Sequence, residues 1–180
     1  MHDVLRVLLV LMILPGAALA QSLPEALVAM MRDDPAGFLD GMTDVVAGFG
    51  GADGLSGDEL EEYLALERAR ARASALRQVL AMDLDNDGAL TRAELAVSQR
   101  AASARQRGTL QRRFDAADRD EDGRLTPGEL RADADAAGFR AMSEPQAAAL
   151  RATLGFDADG DGRLTMAEVK AAIAALDDAT

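Results

Sequence analysis

The chain contains no cysteine and no tryptophan, and aromatic residues make up only 3% of it. Without cysteine, neither a disulfide framework nor a thiolate metal or catalytic site is possible. The single histidine is His2, so the rest of the chain lacks the commonest general base and the commonest transition-metal ligand. No serine lies in a recognisable nucleophile setting, and we therefore expect a protein without enzyme activity.

Basic side chains are in the minority, since 19 Lys and Arg stand against 31 Asp and Glu and give a net charge of -12. We expect no nucleic-acid partner, because nucleic-acid phosphates attract basic surfaces. Cations are the expected ligands of so acidic a chain. The apolar fraction of 49% is rich in alanine, and this composition favours a helical protein with thin packing.

The first twenty residues have the layout of a secretory signal peptide. Arg6 precedes an apolar run over residues 7–14, and the small residues Ala18 and Ala20 suit signal peptidase. The run is too short to span a bilayer. We expect cleavage after Ala20, export to the periplasm or the extracellular space, and no membrane association afterwards. The alternative interpretation is an uncleaved membrane anchor.

Three later segments repeat one twelve-residue pattern, Asp-x-Asp-x-Asp-Gly-x5-Glu, at intervals of 35 and 39 residues. They are called loops 2, 3 and 4 below and comprise Asp83–Glu94, Asp118–Glu129 and Asp157–Glu168. Average residue usage makes this pattern roughly a few-per-million event at any one position, so three copies are not accidental. Apolar residues at helical spacing flank every copy and predict helix–loop–helix repeats.

The pattern supplies the ligands that calcium prefers. Calcium takes six to eight oxygen atoms at roughly 2.3–2.6 Å, and a twelve-residue loop delivers them from alternating positions. Three aspartates, one main-chain carbonyl, a threonine acting through water and a bidentate glutamate complete each set, while the glycine permits the bend. A final glutamate, rather than aspartate, favours calcium over octahedral magnesium.

We therefore predict about three calcium ions, each held by six residues of one loop. The predicted ligands are Asp83, Asp85, Asp87, the carbonyl of Ala89, Thr91 and Glu94 in loop 2; Asp118, Asp120, Asp122, the carbonyl of Arg124, Thr126 and Glu129 in loop 3; and Asp157, Asp159, Asp161, the carbonyl of Arg163, Thr165 and Glu168 in loop 4. The threonine and glutamate of each loop also match a helix capping box, but one glutamate cannot serve both roles fully, and we interpret it as a metal ligand.

A fourth, degenerate copy lies at residues 48–59, called loop 1, again 35 residues before the next loop. Leu55 and Glu59 align with the leucine and the last glutamate of the other loops. The positions that should carry aspartate are Gly48, Gly50 and Ala52. They have no side-chain oxygen, so we expect loop 1 to bind no metal. The alternative is a glycine-rich linker followed by a helix cap.

With these repeats, residues 35–176 resemble the EF-hand superfamily and are similar to the four-hand, calmodulin-like arrangement with a degenerate first hand. The resemblance implies an all-α array of helix–loop–helix hands in two pairs. In the family, short β-pairing joins adjacent loops at an apolar position, which is Leu55, Leu90, Leu125 and Leu164 here. We expect loop 1 to pair with loop 2, and loop 3 with loop 4.

The predicted organisation follows from that pairing. It consists of a signal peptide at residues 1–20, an N-terminal segment at 21–34, a first pair of hands at 35–105 and a second pair at 106–180.

Helix breakers are expected at Gly108, between loops 2 and 3, and at Gly138, Ser143 and Pro145, between loops 3 and 4. No breaker separates loop 1 from loop 2. That segment is either one long helix or two helices that meet near Ser74.

The predicted function is calcium binding by an exported protein that calcium stabilises or that buffers calcium. The alternative is a calcium-dependent sensor or adaptor that binds a protein partner. A sensor needs a groove lined with methionine and large apolar groups. The helices that follow the loops instead offer Ala93, Ala96, Ala132, Ala134, Ala171 and Ala172.

Overall fold

The computed structural model describes residues 23–177, so the predicted signal peptide lies outside the described residues. Within them the chain forms eight α-helices and two antiparallel sheets of two strands each. The helices are α1 Glu25–Asp33, α2 Pro35–Phe49, α3 Gly57–Leu80, α4 Arg92–Arg100, α5 Ala104–Ala117, α6 Pro127–Ala141, α7 Glu144–Thr153 and α8 Met166–Asp177. The strands are β1 Leu55–Ser56, β2 Leu90–Thr91, β3 Arg124–Leu125 and β4 Arg163–Leu164. The predicted all-α array with short β-pairing is confirmed.

The partners in this pairing differ from the prediction. Strand β1 of loop 1 pairs with β4 of loop 4, and β2 of loop 2 pairs with β3 of loop 3. The pairing of adjacent loops, 1 with 2 and 3 with 4, was therefore wrong. Each predicted leucine does lie in a strand, because Leu55 faces Leu164 and Leu90 faces Leu125.

The reason is the segment between loops 1 and 2. It is a single helix, α3, of 24 residues without a break near Ser74. A continuous helix offers no turn at which the chain reverses, so loops at its two ends do not meet. Between loops 2 and 3, in contrast, α4 ends at Arg100 and α5 begins at Ala104, and the two helices contact each other.

Two predicted helix breakers also prove to be helical. Gly108 lies inside α5, whose start is set by a capping box between Ser103 and Gln106. Gly138 lies inside α6, where a side-chain carbon would come within 3.1 Å of the backbone oxygen of Arg68. Glycine at that position therefore permits close packing of two helices rather than a break. Ser143 does precede a helix, and its hydroxyl donates to Gln146 at 2.7 Å.

The chain divides into two compact units, which do not follow the predicted boundaries at 35–105 and 106–180. The terminal unit contains loops 1 and 4 and comprises residues 23–59 and 149–177 of the described range. Its helix α2 packs against α1 and α8. The buried apolar residues on these three helices and on strands β1 and β4 are Leu27, Met31, Phe38, Met42, Val45, Val46, Leu55, Leu164, Val169, Ala172, Ile173 and Leu176.

The middle unit contains loops 2 and 3 and comprises residues 60–148. Its core lies beneath the β2–β3 pair and consists of Val79, Leu90, Leu95, Phe114, Ala117, Leu125 and Leu130. Arg113 joins three helices around this core, because its guanidinium donates to the carbonyl of Ala75 on α3 and to Asp133 on α6. Within the described range, no helix is both long and apolar enough to cross a membrane.

Candidate metal centre

Loops 2, 3 and 4 share one backbone course. Each begins at or just beyond the end of a helix, bends sharply and leads through a two-residue strand into the next helix. The sixth-position glycines, Gly88, Gly123 and Gly162, have φ angles of 81°, 83° and 83°. Such angles strain any residue with a Cβ atom, so the predicted role of these glycines in the bend is confirmed.

In each loop, the residues at positions one, three and twelve bring carboxylate oxygens within 4.8 Å of one another. The three clusters are Asp83, Asp85 and Glu94; Asp118, Asp120 and Glu129; and Asp157, Asp159 and Glu168. Carboxylates this close repel one another, and a divalent cation removes the repulsion.

The last glutamate of each loop is held in place by three hydrogen bonds. In loop 2 the amide and hydroxyl of Thr91 both donate to Glu94 Oε2 at 2.8 Å, and the amide of Leu84 donates to Oε1 at 2.8 Å. Loops 3 and 4 repeat these contacts on Glu129 and Glu168. The threonines therefore form the capping contacts that the sequence suggested, and the same contacts orient each glutamate within its loop.

These hydrogen bonds stabilise the charged form of the glutamates. The backbone amide of Thr91 is the main cause that lowers the pKa of Glu94 to about 2, from an ordinary value of 4.5. The amide of Thr126 lowers the pKa of Glu129 in the same way. Burial raises the pKa of Glu168, but hydrogen bonds from Thr165 and Ala158 together outweigh it and lower the net value. A depressed pKa contributes stability above pH 4.5 that is lost as the pH falls toward the folded value.

The aspartates at position five stand apart from the three-carboxylate clusters. Asp87, Asp122 and Asp161 each accept a hydrogen bond from the amide two residues further on, at 2.9, 2.7 and 2.8 Å. The residues whose carbonyls are predicted ligands lie at the start of the strands: Ala89 just before β2, and Arg124 and Arg163 as the first residues of β3 and β4. All the predicted ligand residues of a loop therefore lie between the end of one helix and the first turn of the next.

The available donor atoms fit a hard cation. Every predicted ligand is an oxygen atom, and the described residues include no histidine or cysteine. The Asp118 side chain is 1% exposed, and its Oδ1 is buried without a hydrogen-bond partner among the described residues. A buried carboxylate oxygen without a partner is costly, and a cation in loop 3 would satisfy it.

Loop 1 has a different geometry, although it has the topology of a hand. Helix α2 runs on through Phe49, and the backbone at Gly50 is so close to that of Gly54 and Leu55 that an added Cβ would lie 2.6 Å from both. The loop is thus folded onto itself. Its strand pairing with loop 4 favours a degenerate hand over a plain linker.

A guanidinium group bonds to two oxygen atoms of loop 1 that stand at calcium-ligand positions. Arg163 of loop 4 donates through Nη1 to the carbonyl of Gly54 at 2.7 Å and to Glu59 Oε2 at 3.4 Å. Gly54 and Glu59 align with the seventh and twelfth positions, which supply calcium ligands in intact loops. This cationic side chain therefore takes up oxygens that would otherwise be available to a metal ion.

Replacing Arg163 with Ala should lower the thermal unfolding midpoint of the terminal unit by a few degrees, because Glu59 and the Gly54 carbonyl lose a charged donor. Differential scanning calorimetry of the calcium-saturated protein measures this change. Arg163→Lys is the matched control, since it keeps the charge and should recover part of the loss. An unchanged midpoint for the alanine variant would contradict a structural role for this contact.

The sequence did not predict the arginine contacts that link loops 2 and 3. Arg92 Nη2 donates to Asp118 Oδ2 at 3.1 Å, and Arg124 Nη2 donates to Asp87 Oδ2 at 2.7 Å. Both contacts depend on which loops pair, and the sequence pattern within one loop carries no signal for that.

Comparisons with known proteins agree with the repeats. The family model described as EF hand matches residues 80–97, 110–132 and 156–173, which cover the three acidic loops and not loop 1. No curated protein and no solved structure matches the chain. Three matching segments, each with helix–loop–helix topology and a carboxylate cluster, show that loops 2, 3 and 4 lie in EF hands.

Proposed function

We propose that the protein binds three calcium ions, one in each of loops 2, 3 and 4, and that the bound calcium stabilises its fold. The observation that carries the proposal is the convergence of carboxylates within 4.8 Å in all three loops, on one shared hydrogen-bonding framework. Loop 1 takes no ion in this proposal, because its first, third and fifth positions lack side-chain oxygens and Arg163 bonds to the Gly54 carbonyl and to Glu59.

The cores of both units support a stabilising role for calcium. Many buried positions carry alanine, which removes little apolar area from water: Ala75, Ala89, Ala117, Ala134, Ala147, Ala149 and Ala172. A fold with so modest a core gains proportionately more from bound ions. We infer a binding role rather than a catalytic one, since the described residues contain no histidine or cysteine.

Export is part of the proposal and rests on residues 1–20. A compartment outside the cytoplasm would hold calcium at a high and steady concentration, which suits constitutive loading better than switching. A mature N-terminus at Gln21, determined by mass spectrometry of the expressed protein, would support this part.

Calorimetric titration of the chain beginning at Gln21 tests the stoichiometry. We expect about three calcium ions per chain and much weaker binding of magnesium, because the bidentate glutamates suit a higher coordination number. Glu129→Gln should remove one ion, since the amide cannot close the shell with two charged oxygens. Glu59→Gln is the matched control at the same position of loop 1 and should leave the count unchanged. A total of one ion or none would refute the assignment.

A further inference from the structure

The paired loops 2 and 3 hold each other's aspartates through arginines. Arg124 begins β3, directly opposite Thr91, and its guanidinium reaches Asp87 of loop 2 at 2.7 Å. In return Arg92 of loop 2 reaches Asp118 of loop 3 at 3.1 Å and also Asp115 at 3.0 Å. Each of the two loops therefore has one predicted ligand bonded to a guanidinium group of its partner.

Both arginines are held by further contacts. The amide of Arg92 donates to the carbonyl of Gly123 at 3.2 Å, and its guanidinium lies over the Phe114 ring at 4.9 Å. Arg124 is fixed at its backbone by the β2–β3 ladder. These contacts place each positive charge beside the neighbouring loop.

Loop 4 has no such arginine. Its partner, loop 1, carries Gly57 at the position that Arg92 occupies in loop 2. Asp157 accepts hydrogen bonds from the backbone amides of Gly160 at 2.8 Å and Gly162 at 2.9 Å. Arg163 corresponds to Arg124, but its guanidinium bonds to loop 1. In residues 23–177, no basic side chain bonds to a predicted ligand carboxylate of loop 4.

A guanidinium on a ligand aspartate opposes calcium in either of two ways. If it stays, it repels the incoming ion, and a unit charge about 6 Å from a divalent ion weakens binding by about ten-fold even in water. If it leaves, a charge-assisted hydrogen bond is lost.

Building on the proposed calcium function, we propose that Arg124 and Arg92 lower the calcium affinity of loops 2 and 3, so that loop 4 takes up the first ion. The two arginines are thus affinity-setting residues, and the three sites fill unequally. The opposite effect would arise if the arginines mainly relieved repulsion among the carboxylates, and the experiment separates the two.

Variants in which only one loop can bind calcium allow the calcium affinity of each loop to be measured separately. Two of the three residues Glu94, Glu129 and Glu168 are replaced with Gln, and calcium affinity is measured by competition with a chelator. We expect the chain with only loop 4 active to bind about ten-fold more tightly than the other two. Arg124→Ala should strengthen binding about ten-fold in the loop 2 chain, and Arg92→Ala should do so in the loop 3 chain.

Two control variants separate this effect from a general change in charge. Arg124→Lys keeps the positive charge and should strengthen loop 2 binding much less than Arg124→Ala does. Arg131→Ala removes a charge from an exposed position of α6 that makes no ion pair among the described residues, and it should change affinity by less than about two-fold. Equal strengthening by Arg131→Ala would overturn the specific role of the two arginines.

Circular dichroism at saturating calcium checks that each single-loop chain folds. If one does not, the full chain with Arg92→Ala and Arg124→Ala is titrated instead, and its two weaker binding constants should rise about ten-fold while the first stays constant. Affinities that fall or do not change in the alanine variants overturn this inference and leave calcium binding intact. Failure of every chain to bind calcium overturns the proposed function as well.

Discussion

Removal of calcium with a chelator will unfold much of the protein's helical structure and lower its unfolding midpoint by about 20 °C. The expected size follows from mass action. A site that binds only the native state contributes about 2.7 kcal/mol when free calcium is 100 times its dissociation constant, and three such sites contribute about 8 kcal/mol. For a protein of this length, each kcal/mol of unfolding free energy shifts the unfolding midpoint by about 2–4 °C.

Charge repulsion in the empty loops acts in the same direction. Each loop holds three carboxylates within 4.8 Å, and the hydrogen bonds to Glu94, Glu129 and Glu168 lower the pKa of these three glutamates, which stay ionised well below neutral pH. Without a cation, protonation near pH 7 therefore gives no relief from that repulsion. Each loop connects two helices, so opening of a loop would separate these helices and expose the apolar core beneath its strand.

Circular dichroism and a hydrophobic dye, each followed with calcium and with chelator, measure this effect. A calcium-stabilised protein loses helicity on chelation, whereas a sensor keeps its helices and gains dye binding when calcium is added. The Glu94→Gln, Glu129→Gln and Glu168→Gln triple variant is the control, because calcium should no longer restore its helicity. If neither the helicity nor the unfolding midpoint of the protein changes with chelator or with calcium, the proposed role of the ion is contradicted.

The loops could be predicted from sequence because their chemistry is local. Twelve consecutive residues contain the aspartates, the glycine with positive φ and the capping glutamate. The start of α5 was equally open to prediction, since Ser103 and Gln106 form a capping box. Gly108 does not end the helix, because one glycine in a helix costs only about 1 kcal/mol, which packing readily offsets.

The pairing of loops could not be predicted because it is a tertiary property. Leu55, Leu90, Leu125 and Leu164 are equivalent in sequence, and any two of them suit a short antiparallel ladder. The choice depends on whether the intervening segment reverses direction, and the unbroken α3 decides it. The contacts of Arg92 and Arg124 depend on which loops pair, so the sequence could not predict them either.

Replacing Phe114 with Ala will destabilise the middle unit by about 3–5 kcal/mol, the usual cost of truncating a buried phenylalanine. Its side chain is 2% exposed and packs in the core between the helices and the β2–β3 pair. The ring also lies beneath the guanidinium of Arg92 and shares its core with Leu90 of loop 2 and Leu125 of loop 3. Loss of the ring therefore weakens the support of both paired loops.

Urea unfolding of the calcium-saturated protein measures this loss, and Phe139→Ala provides the matched control. Phe139 is in the same unit but is 59% exposed, so its truncation should cost about 1 kcal/mol or less, mainly from its contact with Arg68. Because loop 4 belongs to the terminal unit, Phe114→Ala should weaken two of the three calcium sites and spare the third. Equal effects of the two phenylalanine variants, or weakening of all three sites alike, would contradict a core beneath loops 2 and 3 that supports them separately from loop 4.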